Sequence, residues 1–232
     1  CHPRRGSERL PWPHPPRKVV RFASGLEGWQ SESVMRTAML IVGVQNDFCT
    51  GGARGVSGGE RVAGPLSYVA SAVDHANGLI VVSREWHSEG SEYFLGSGGS
   101  LKPYCVAGTR GAAFHSDLSL SRRTRIVYRS TDPAEGGSAF RATDRTGTEL
   151  GELLRREGTE EIVLGGIPTE TSVRATALEA LRRGYRVIVI QDGVAARDPA
   201  AGREVMGNLR LAGARVMGSG EAIMTLYSRG DA

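Results

Sequence analysis

From Ala38 onward, short continuous apolar runs alternate with stretches whose apolar residues recur every three or four positions. The runs are AMLIVGV (38–44), LIVVSRE (79–85), RIVYR (125–129), EIVLGG (161–166), RVIVIQD (186–192) and ARVM (214–217). Because they are apolar at successive positions, they suit strands covered on both faces, as in parallel sheets. Between them, PLSYVASAVDHAN (65–77), TELGELLRREG (148–158), TSVRATALEALRRG (171–184) and AGREVMGNLRLAG (201–213) show helical spacing, and three of the four end at a glycine suited to a C-cap. The alternation predicts an α/β fold of three layers, α/β/α, built on a doubly wound, six-stranded, mainly parallel, Rossmann-like sheet. The strand runs form its candidate core. Such sheets bind ligands beyond the carboxyl ends of their strands, so Gly43, Glu85, Arg129 and Pro168 are expected along the functional edge.

The first 34 residues break this pattern. They hold five of the ten prolines, six of the 29 basic and three of the 25 acidic residues, with no apolar periodicity. This predicts a disordered, basic, Pro-rich extension (1–34) ahead of a single domain (35–232). Met35 directly precedes the first strand run, and a start there would leave residues 1–34 outside the native protein. Without the extension, a chain of formal charge +4 becomes a nearly neutral body whose arginines are scattered, which argues against a nucleic-acid partner. No stretch reaches the ~18 to 20 apolar residues of a membrane helix, and no signal-like apolar region opens the chain. The expectation is therefore a cytoplasmic protein without a membrane partner. Cys1, Cys49 and Cys105 form neither a CxxC pair nor an even framework, so reduced thiols are expected, Cys49 and Cys105 in packing roles. The Gly-rich GGARGVSGGERV (51–62) lacks GKS/T and GxGxxG, and reads as a flexible flap rather than a phosphate loop.

Five motifs, LIVGVQNDFCTGG, SREWH, CVAGTRGAAFHSDL, GGSAF and GGIPTETSVRATALEAL, follow one another in the order seen in nicotinamidases. From about Ala38 to about Asp198 the chain resembles the isochorismatase-like hydrolase superfamily, and within it the nicotinamidases, which hydrolyse nicotinamide to nicotinate and ammonia. The resemblance implies three reaction positions, and all three are substituted. The general acid and base, an Asp opening DVQNDF, is Gly43 in GVQNDF, which carries no titratable group. Asp47 is the nearest carboxylate in sequence, read as a loop cap or as a substitute base. The family Lys is Arg129 in RIVYRSTDP; arginine holds an anion but does not exchange protons, and pairing with Asp132 is the alternative. The nucleophilic Cys is Ser172 in TETSV, whose hydroxyl needs a base; the other reading is an N-cap or first-turn serine.

The resemblance also implies an oxyanion hole using the N–H four residues before the nucleophile, where Pro168 has none to give. Losing one such donor costs ~10² to 10³ in rate. The family's cis peptide at this point is matched by Ile167-Pro168, and Pro168, Thr171 and Trp86 form the expected substrate-facing and oxyanion set. Trp86 also reads as an ordinary buried ring. A DWHxxxH-like metal set is matched by EWHSEGS, in which Glu85 and His87 survive and Ser91 replaces the second His. No cofactor is required, and a weakly held zinc, iron or manganese is the most this set implies. His115 in AAFHSDL reads as a loop anchor.

The expected function is thus that of a nicotinamidase-like amide hydrolase, catalytically impaired or inactive because Gly43, Arg129 and Ser172 stand at its reaction positions. The alternatives are a hydrolase of altered chemistry using Ser172, and a small-anion binding or interaction protein on the same fold, the anion held where Arg129, with no carboxylate beside it, faces the helix N-terminus at Ser172. The partner is a small amide or small anion, and a homo-oligomer is compatible with the sequence. Restoring Asp, Lys and Cys together is expected to awaken amidase activity if only the reacting groups were lost.

Overall fold

A computed structural model describes residues 35–129 and 137–228. The predicted extension and Asp132 lie outside these described residues. Six strands, β1 (Thr37–Val42), β2 (Leu79–Glu85), β3 (Arg125–Arg129), β4 (Glu161–Gly166), β5 (Arg186–Val194) and β6 (Arg215–Met217), form one sheet in the order β3-β2-β1-β4-β5-β6. Every pairing is parallel; β1, at the centre, sets Ala38 against Leu79 on one side and Ile162 on the other.

Both faces are covered, which explains the continuous apolar runs. Met39 and Ile41 point to a core shared with α1 (Ala63–His75) and α5 (Ser219–Tyr227). Ala38, Leu40 and Val42 point to the other core, with α2 (Leu150–Arg156), α3 (Arg174–Arg182) and α4 (Pro199–Leu211). The order in which strands are added reverses between β1 and β4, which places the switch-point crevice between the residues that follow these two strands.

The departures from the sequence expectation have local causes. β1 stops at Val42 because Gly43 turns into the left-handed region at φ +64°. α3 begins three residues late: Thr169–Val173 form a wide turn in which Val173 N–H reaches back five residues to the Pro168 carbonyl. α4 begins earlier because Asp198 caps the Ala200 N–H and Pro199 opens the first turn. The sequence reading missed α5, whose SGE start looks like loop; Ala222 and Leu226 bury it. The Gly-rich segment is pinned rather than loose. Thr50 donates its N–H and hydroxyl to Glu60, Gly58 N–H reaches the Thr50 hydroxyl, and Val56 is fully buried. Among the described residues no helix is long and apolar enough to cross a membrane.

Candidate active site

The carboxyl edge of the sheet gathers several charged groups that are bonded mainly to one another. Glu85 and Arg129, the last residues of β2 and β3, stand opposite in register, and both are buried. Arg129 Nη2 donates to Glu85 Oε1, and its Nη1 donates to the Gly137 carbonyl. His87 Nε2 donates to Glu85 Oε2 at 3.2 Å, and the Tyr104 hydroxyl bonds the same carboxylate. Burial alone would raise the Glu85 pKa; Arg129, with the bonds from His87 and Tyr104, outweighs it and holds the carboxyl down to about 2. Burial, then the Glu85 charge, pushes the Tyr104 phenol well above its usual range.

This corrects the picture of an open guanidinium at Arg129. Its carboxylate partner is Glu85, 44 residues away in sequence, so an anion arriving at this point would meet a charge already neutralised. The same bonds bear on the expected metal set. Among the described residues no three His, Cys, Asp or Glu side chains stand close enough to hold an ion. Both Glu85 oxygens are engaged, one by a cation, while Ser91 closes a turn through its N–H on the Ser88 carbonyl and takes no part in the Glu85 set. The donor set does not fit a tightly held divalent metal.

At the switch point, Gly43 and Ile167-Pro168 pack backbone to backbone. A Cβ on Gly43 would lie 2.5 Å from the Ile167 carbonyl oxygen. The Ile167-Pro168 bond is cis, as the family resemblance implied. Ser172 is 3% exposed within the wide turn before α3, and its hydroxyl makes no capping bond and no hydrogen bond among the described residues. Neither expectation for it, a cap or a base-activated nucleophile, has a bond to support it. Thr171 is exposed rather than turned into the buried group. Trp86 is 37% exposed, so it is not a buried ring; it lies under the Arg84 guanidinium and edge-on to Tyr128.

Asp47 resolves as a loop cap: its carboxylate accepts the N–H of Cys105 at 2.6 Å and of Ala53 at 3.3 Å. His115 anchors its loop, its Nδ1 accepting the Asp117 N–H at 3.3 Å. Cys49 and Cys105 are buried free thiols, and burial pushes both up, Cys49 to about 11.

Sequence reasoning missed two residues. Gln45 is fully buried, donates to the carbonyls of Glu85 and Ala112 at 2.8 and 2.9 Å, and accepts the Glu85 N–H at 2.7 Å, so it fixes the end of β2. Tyr104 reaches Glu85 from a loop. Gln45 was visible inside the QNDF motif; no spacing links Tyr104 to Glu85.

The family model of the isochorismatase domain matches residues 37–221, most of the chain. The chain belongs to the isochorismatase family. It is 37% identical over 176 residues, 73% of this chain and 93% of the relative, to the nicotinamidase/pyrazinamidase of Mycobacterium tuberculosis. It is 28% identical over 177 residues, covering 73% and 85%, to an Arabidopsis thaliana protein described as a probable inactive nicotinamidase. Among solved structures it is similar to the pyrazinamidase of Pyrococcus horikoshii in complex with zinc, at TM-score 0.70 and 30% identity over 79% of this chain and 99% of that one. It is also similar to PnC1 from L. infantum in complex with nicotinate, at TM-score 0.68 and 28% identity over 81% and 95%. The family's amide-hydrolase members therefore share this fold almost end to end, and the six-stranded parallel sheet is theirs.

Proposed function

We propose that this isochorismatase-family chain keeps the amidohydrolase fold but does not hydrolyse nicotinamide or similar small amides by the family's route. The observation that carries this is the bonding of the buried edge. Arg129 is spent on Glu85, Asp47 on backbone N–H groups, and the Ser172 hydroxyl has no proton acceptor among the described residues. An unactivated serine is a poor nucleophile. Pro168 brings no N–H to a developing oxyanion, and the space a side chain at position 43 would need is filled by the Ile167 carbonyl. The relative described as inactive supports the same reading. A small amide or carboxylate remains the class of molecule the crevice suits, by likeness to the nicotinate complex.

The test is ammonia release from nicotinamide, pyrazinamide and a panel of simple amides, with and without zinc, iron or manganese. Turnover at the uncatalysed rate is expected. Turnover that Ser172→Ala abolishes would overturn the reading and show that Ser172 is activated.

A further inference from the structure

On the face of β2 opposite Glu85, a second cation is held differently. Arg84 is half-buried, and its guanidinium carbon sits 3.6 Å from the centre of the Trp86 ring, 5.3 Å from that of Phe114 and 5.5 Å from that of Tyr128. Its Nε is buried with no hydrogen-bond partner, and no carboxylate pairs with its guanidinium among the described residues. Rings compensate a guanidinium's charge in part, but they leave its N–H donors without acceptors.

A second arginine comes to the same ring. Thr143 crosses the outer edge of β3 as an antiparallel bridge partner of Tyr128, and this carries Arg145 over the strand. Arg145 Nε donates to the Tyr128 hydroxyl at 3.0 Å, with its guanidinium carbon 5.9 Å from the ring centre. The nearest acid in sequence, Asp144, turns Oδ1 toward Thr146 and Thr148, and forms no ion pair with Arg145 among the described residues. Two guanidiniums thus converge on Tyr128 with no counter-charge bonded to either among the described residues, next to the exposed part of Trp86. Like charges brought together without a carboxylate are stabilised by an arriving oxyanion, which takes bidentate hydrogen bonds from planar guanidinium forks.

We propose that Arg84 and Arg145, framed by Trp86 and Tyr128, form a binding site for a small oxyanion, the carboxylate or phosphate group of a low-molecular-weight ligand. The site is distinct from the Glu85–Arg129 group, and it stands whether or not the crevice hydrolyses amides. The exposed Trp86 edge suits a flat group attached to the anion.

Trp86 lies against Arg84, and because Trp12 and Trp29 also emit, the part of the fluorescence change that Trp86→Phe removes is what reports the site. Inorganic phosphate and benzoate are titrated separately into the full-length chain, with sodium chloride at equal ionic strength as the reference, and thermal melting is followed in parallel. A saturable fluorescence change and a rise in Tm beyond chloride are expected with at least one probe. Phosphate alone would point to a phosphate ester and benzoate alone to a carboxylate. Trp86→Phe should remove the fluorescence change. Arg145→Ala, a change at an exposed side chain, should weaken binding about tenfold or more, the size of one charge-assisted hydrogen bond. Absence of a saturable response to both probes overturns the proposal, as does an unchanged affinity in Arg145→Ala together with Arg84→Gln.

Discussion

Replacing Gly43 with alanine is expected to destabilise the protein far more than a methyl group on a loop normally does. Two costs add at this residue. A left-handed φ of +64° costs a residue with a Cβ about 1 to 2 kcal/mol. The new Cβ would also lie 2.5 Å from the Ile167 carbonyl oxygen, a backbone atom that no rotamer change can move aside. Relief requires β1 and the Ile167-Pro168 segment to part, which threatens the buried bonds from Ile167 N–H to the Val42 carbonyl (2.8 Å) and from Gly43 N–H to the Ser83 carbonyl (3.1 Å). Each is worth about 1 kcal/mol, so the total is roughly 2 to 4 kcal/mol. In urea, with a slope of about 2 kcal/mol/M, the midpoint should fall by about 1 to 2 M. Two controls separate the terms. Gly108→Ala has a φ of +80° with open space around it, and should show the conformational cost alone. Gly90→Ala has neither problem and should be close to neutral. A Gly43→Ala midpoint equal to that of Gly108→Ala would refute the overlap argument, and one equal to Gly90→Ala would refute both terms. The same geometry reverses the sequence-based expectation for the restored Asp, Lys and Cys: Gly43→Asp puts its carboxyl on a Cβ with no room, so the triple variant should be destabilised and silent.

Two further outcomes follow from the buried groups. Arg129→Met strands the Glu85 carboxylate without its cation and should cost about 3 to 5 kcal/mol in urea unfolding at pH 7, whereas a loss under 1 kcal/mol would mean that the carboxylate finds water or another donor. At Cys49 the folded thiol is pushed up to about 11, above its ordinary value, so the neutral form is favoured in the fold; its contribution to stability is complete below the ordinary thiol range and is lost as pH rises through about 11. Iodoacetamide at pH 8 should therefore leave the Cys49 and Cys105 peptides unmodified in the native protein and label both in urea, as read by mass spectrometry; rapid native labelling of Cys49 would contradict its burial.

The layered sheet, its strand runs and its carboxyl edge were legible in the residues because hydrophobic periodicity is a local property. A run such as AMLIVGV is buried on both faces in any arrangement that accepts it, whereas the helical spacing placed the start of α4 at Ala201 and passed over its Asp198-Pro199 cap. Gly43, Arg129, Pro168 and Ser172 could be singled out for the same reason, since each sits inside a motif read in sequence order. What the chain could not declare was which charges are already spent. Arg129 looked open because its partner Glu85 lies 44 residues away, and the bond between Gln45 and Glu85 spans 40. The neighbours of Trp86, Arg84 and Tyr128, come from two different strands, and no spacing pairs Trp86 with Tyr128. By itself, then, the sequence determined the family and the layers and named the residues on the strand ends, all set by residue type and near-neighbour pattern. Only the tertiary structure decided that the Glu85 carboxylate is closed by Arg129, that residue 43 has no room for a side chain, and that Arg84 and Arg145 meet with no counter-charge among the described residues. Those are questions of distance between segments far apart in the chain, and they have answers only once the sheet has brought those segments together.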